Sequence, residues 1–127
     1  MLQSKWTSSR RAALLGLVAA VGFAIADASA EELTFVLRIE KGRVPASMQL
    51  IRVKQGDVVK LQWSTDRRIT LHLHGYDIEK TVEPGAVTEM TFTARATGRF
   101  PVAPHIPQAG GSHGHGDTLV TIEVYPK

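Results

Sequence analysis

A chain of 127 residues is long enough for one domain and too short for two of ordinary size. It contains no cysteine, which excludes disulfides, thiolate nucleophiles, Fe–S clusters and Cys-ligated zinc or copper. The formal charge of +3 sits mostly at the start: Lys5, Arg10, Arg11 and Asp27 fall within residues 1–30. Residues 31–127 then hold 12 basic and 11 acidic side chains, with no basic cluster of the kind a nucleic-acid surface needs.

In chain order, Lys5, Arg10 and Arg11 form a positive n-region, residues 12–26 are an apolar run, and Ala28-Ser29-Ala30 supplies small residues before a cut. This pattern predicts a secretory signal peptide over residues 1–30, removed before Glu31. The apolar run is shorter than the roughly 20 residues a spanning helix needs, so no membrane span is expected after removal. Ser9-Arg10-Arg11-Ala12-Ala13-Leu14-Leu15 is similar to a twin-arginine signal, with Ala13 where that pattern prefers Phe. Both export routes, general secretory and twin-arginine, stay open, and either places the mature domain, residues 31–127, in the periplasm.

The mature segment shows recurring period-two alternation between Gly, Pro and Asp turns, the pattern of an all-β sandwich or barrel. Strands are predicted at 33–40, with Phe35, Leu37 and Ile39 on one face, and at 49–54, closed by the Gln55-Gly56-Asp57 turn. The next, 58–64, alternates Val59, Leu61 and Trp63 against Lys60 and Gln62. In 68–74, Ile69, Leu71 and Leu73 oppose Thr70, His72 and His74. Residues 76–80 are expected to form one short helical turn at most. Pro84-Gly85 is a turn before a strand at 87–94, with Met90 and Phe92 inward. A short strand at 98–102 is expected to break at Pro101, and a last strand runs through 118–125. Residues 104–117 carry two of the six prolines, four glycines and three of the five histidines, and read as a long mobile loop.

The order of these pieces resembles the cupredoxin family. Val44-Pro45 and Ile51-Arg52-Val53-Lys54-Gln55-Gly56-Asp57-Val58-Val59 match that family's strand–turn–strand. Val82-Glu83-Pro84-Gly85 matches a later turn, and Phe92-Thr93-Ala94 with Thr97-Gly98-Arg99-Phe100 matches the approach to its copper loop. The resemblance covers nearly all of the mature chain and implies a Greek-key β-sandwich; an immunoglobulin-like or copper-resistance-type sandwich is the other architecture compatible with the strands. It also implies what is missing. A blue-copper centre takes two histidines, a cysteine and a weak axial ligand. Pro104 stands where the family carries its cysteine, with His105 one residue on, and no methionine follows Met90. His72 and His74 come where the family carries its first histidine. Anchoring on Pro84-Gly85 instead puts that position near Ile69, so whether His72 is inherited or new stays open.

All five histidines, His72, His74, His105, His113 and His115, lie between residues 72 and 115, and together they are the candidate metal ligands. Imidazole suits Cu(II), Zn and Ni. Residues i and i+2 of a strand share a face about 6.5–7 Å apart, a spacing that lets His72 and His74 meet one ion. His113-Gly114-His115 offers a third and fourth ligand on a backbone that Gly lets bend. Asp77 and Asp117 are further oxygen donors. Against this, an outward histidine on a strand is ordinarily only solvated, and short His-rich tracts bind metal loosely. No paired carboxylates, nucleophile elbow or phosphate loop is present, so no enzyme is expected. The leading expectation is an exported protein that buffers or delivers a metal ion, copper ahead of zinc or nickel. The alternative is a metal-free sandwich that binds a periplasmic protein partner. Blue-copper electron transfer is excluded by the missing cysteine.

Overall fold

The computed structural model describes residues 16, 19–22, 29–107 and 113–127. Most of the expected signal peptide lies outside these. Among the described residues no helix is long and apolar enough to cross a membrane.

Among the described residues nine strands follow one another: β1 Glu32–Ile39, β2 Leu50–Lys54, β3 Val58–Thr65, β4 Ile69–Leu73, β5 Ile78–Val82, β6 Thr88–Thr93, β7 Gly98–Pro107, β8 His113–His115 and β9 Val120–Tyr125. A 3-10 turn, Ala46–Met48, precedes β2. The strands make two sheets, one in the order β1-β3-β6 and one in the order β2-β9-β7-β4-β5, with β8 paired to β7. β1 runs parallel to β3, β2 runs parallel to β9, and the other pairs are antiparallel.

Alternation decides which side of each sheet is dry. Leu37, Ile39, Val59, Leu61 and Trp63 of the small sheet face Leu71, Leu73, Val102, Val120 and Ile122 of the large one, and all ten are fully buried. Burial of each such aliphatic side chain contributes about 1.5–3 kcal/mol, and with no disulfide present this core carries the fold. A one-residue slip of any of these strands would turn its apolar set to water, so the pattern pins the register.

Three expectations are corrected. Residues 76–80 are not a helical turn: residues 74–77 form a tight turn and β5 starts at Ile78. Ile78-Glu79-Lys80-Thr81-Val82 lacks alternation because β5 is the edge of the large sheet and buries only Val82 fully. Its conformation comes from pairing with β4 along Ile69↔Val82 to Leu73↔Ile78. Residues 104–117 are not simply a loop either. β7 continues through Pro101 and Pro104 to Pro107, then pairs with β8. Proline lacks the donor a ladder needs, and here both interior prolines sit where a partner ends. Pro101 accepts a bond from His74 N–H at 3.0 Å, just past the last β4 residue. Pro104 turns its carbonyl to Gly116 N–H at 3.0 Å, so its missing donor falls in the gap between β9 and β8.

The 74–77 turn is fixed from below. Gly75 takes φ 88, and a Cβ there would stand 2.6 Å from Phe100 Cδ1. The Tyr76 ring packs on Phe92 and Phe100 at 4.8 and 5.0 Å, and its hydroxyl accepts from Arg95 N–H at 3.1 Å. Asp77, at φ 51, uses the left-handed region that Asp tolerates and points out of the turn, fully exposed.

Candidate metal centre

Because Leu71 and Leu73 fill the core side of β4, Thr70 and His72 take its outer side, and His74 follows just past its end. The His72 and His74 rings lie edge to face with centroids 4.5 Å apart. His72 is only 20% exposed, and its Nε2 stands 3.7 Å from Asp77 Oδ1, a contact the 74–77 turn creates.

Neighbouring strands bring further groups to the same face. His72 is opposite Ala103 on β7 and opposite Glu79 on β5. His105, two residues beyond Ala103, therefore shares that face. Glu79 reaches across it, with Oε2 3.4 Å from His105 Nδ1. The β7–β8 ladder sets His115 directly opposite His105 and His113 opposite Pro107. His72, His74 and His105 thus lie at one end of the large sheet's outer face, and His113 and His115 take register positions on the strand beside His105. The side chains of His113 and His115 lie outside what the structure describes, and Asp117 is exposed. Among the described residues no three His, Asp or Glu side chains converge in a way that could hold an ion.

Glu79 was not singled out in the sequence. It lies in the segment expected to turn, and only the β4–β5 register reveals that it faces His72.

The other end of this face is differently charged. Glu123 of β9 sits between Arg52 of β2 and Arg99 of β7 in register, with Arg99 Nε 3.2 Å from its Oε2. The Tyr125 hydroxyl donates to Glu123 Oε1. That bond first, and the two arginine charges after it, hold the Glu123 carboxyl below its usual range. The sheet therefore separates a compensated ionic ladder from a histidine–carboxylate end.

This donor set does not fit a blue-copper centre. The chain has no cysteine, and Met90, its last methionine, is fully buried opposite Leu61 in the small sheet. Imidazoles flanked by carboxylates suit Cu(II), Zn or Ni held without thiolate.

No protein-family description and no curated protein matches the chain. Solved structures do. The periplasmic domain of subunit II of cytochrome oxidase (CoxB) of Bradyrhizobium japonicum is similar over 74% of this chain and 84% of its own, with TM-score 0.55 and 15% identity. A copper binding protein solved by NMR in its apo form is similar over 76% of this chain and 97% of its own, with TM-score 0.56 and 12% identity. A chain of a heme-copper terminal oxidase dimer is similar over 80% of this chain and 68% of its own, with TM-score 0.54 and 20% identity. At such identities the likeness is one of fold, and these are cupredoxin-fold proteins. The two-sheet sandwich of this chain is a cupredoxin fold built without a cysteine.

Proposed function

We propose that this is an exported protein that carries a metal ion, Cu(II) first among the candidates, on imidazoles at the outer face of its large sheet, for buffering or delivery. The ion is cargo, and neither electron transfer nor a catalytic step is assigned to it. The observation that carries the reading is the shared placement of the histidines: His72 and His74 in ring contact, and His105 paired in register with His115 on the adjoining strands. Histidines scattered over a sandwich for solubility would have no reason to gather at one end of one sheet. Exposed carboxylates at Asp77 and Glu79 add negative charge around them. Imidazole sites rank Cu(II) above Ni and Zn, which sets the order of preference. The cupredoxin fold of the copper binding protein and of the periplasmic oxidase domain supports a copper-related role and export.

Calorimetric titration of the processed protein with Cu(II) is expected to show one site of micromolar or tighter affinity, with no intense blue absorption. The double variant His72→Ala/His74→Ala is expected to weaken it at least about tenfold, equivalent to ~1.4 kcal/mol. Absent binding, or binding indifferent to the double variant, would overturn the reading. Capture of a partner by metal-stripped protein would then favour the metal-free binding module.

A further inference from the structure

Glu31 is held on both sides of its backbone. Its N–H donates to Asp57 Oδ1 at 3.2 Å, and its carbonyl accepts from Val58 N–H at 2.9 Å. β1 begins one residue later, where Glu32 pairs with Lys60 Nζ at 2.7 Å. Asp57 is only 7% exposed, and its second oxygen accepts from Lys54 N–H at 2.9 Å. On the other side of Glu31, Ser29 and Ala30 are exposed and lie along a cleft of about 480 Å³. The change from exposed small residues to anchored strand falls at the Ala30–Glu31 peptide bond, where the Ala28-Ser29-Ala30 pattern puts the cut.

We propose that this bond is a processing site open on the folded domain, and that Asp57 is the receptor for the new chain start. A peptidase that recognises small residues hydrolyses the bond. Water adds its hydroxyl to the Ala30 carbonyl carbon and a proton to the Glu31 nitrogen. Ala30 leaves as a carboxylate, and the Glu31 amine takes a further proton from solvent. The α-ammonium then occupies the place of the amide N–H on Asp57 Oδ1. Hydrogen bonds between charged partners are roughly twice as strong as neutral ones. Asp57, held before the cut by two backbone N–H groups, gains a counter-ion at a site where an uncompensated charge is costly. The bond from Val58 to the Glu31 carbonyl is unaffected, so β1 keeps its register. Glu31, Arg52, Lys54, Asp57, Tyr125 and Lys127 all line the same cleft, and of these Asp57 is the one bonded to the Glu31 nitrogen.

The test uses protein recovered from the exported fraction. Its first residue is expected to be Glu31. The α-amine, kept protonated by the Asp57 carboxylate beside it, is expected to acylate about tenfold more slowly at neutral pH than in the urea-unfolded chain. Selective acetylation of that amine should lower the urea midpoint, and should leave the midpoint of Asp57→Asn unchanged. A different first residue, equal acylation rates in folded and unfolded protein, or the same acetylation effect without Asp57 would overturn the proposal. The acylation comparison needs no variant, so it decides the matter even if Asp57→Asn does not fold.

Discussion

Gly75 shows how one backbone position holds the histidine end together. It combines a left-handed φ of 88 with a Phe100 ring that leaves no room for a Cβ. Gly42, at φ 75, meets nothing within 4 Å and serves as its control. Gly42→Ala is expected to cost only the backbone penalty, about 1–2 kcal/mol. Gly75→Ala adds overpacking of roughly 1–3 kcal/mol and pushes on the Tyr76–Phe100 stack that seats the turn between His74 and Asp77. Urea unfolding of the two variants checks this, and equal losses would remove Phe100 from the explanation. Trp63 fills the core of the small sheet. Its indole N–H is buried with no partner among the described residues, so its place in the core rests on the apolar body of the ring alone.

At the scale of elements, the large sheet assembles the histidine face from strands that read poorly in isolation. β5 has no alternating signature, yet its pairing with β4 puts Glu79 against His72 and buries Val82. Val82→Ala is expected to cost about 1.5–3 kcal/mol, from the lost methyl groups and the cavity they leave. Substitution of exposed Lys80 by Ala should stay within ~0.5 kcal/mol. Were 78–82 a solvated turn, both would be silent in denaturant titration. β7 carries the larger lesson. Its prolines suggest a break when read alone, and they are tolerated because each missing donor falls where a neighbouring strand has ended.

At the scale of the whole molecule, the parallel β2–β9 ladder joins residues 50–54 to 121–125. The large sheet cannot close until residues 121–125 are available to pair with 50–54, and such distant pairing belongs to slow, millisecond-to-second folding. Stability across pH follows the ion pairs. Asp66, accepting from Lys41 N–H, and Glu123, accepting from Tyr125, both have carboxyl pKa values lowered by folding. Their contribution is present above the ordinary carboxylate range of about 4 and is lost as pH falls through the folded values. Lys60, hydrogen-bonded to Glu32, and Tyr125, bonded to Glu123, are raised. Theirs is present below about 10 and is lost as pH rises through the folded values. Before processing, denaturant midpoints should therefore be flat from about pH 5 to 9 and fall on either side; in the processed chain the Glu31 α-ammonium held by Asp57 adds a loss that starts at about pH 8. Asp66→Asn should flatten part of the acid limb, and an unchanged limb would show that the Lys41–Asp66 bond adds nothing.

The apolar alternation of 33–40, 58–64, 68–74 and 118–125 determined by itself that these segments are strands and which side of each is dry, because a half-buried strand must place its apolar residues every second position. The absence of cysteine likewise settled that no thiolate–copper bond can form. Only the tertiary structure decided that β5 exists, that β7 runs through its prolines, and that His72, His105 and Glu79 share a face. Those facts depend on which strand lies beside which, and hydrogen bonds between distant segments leave no trace in the local order of residues.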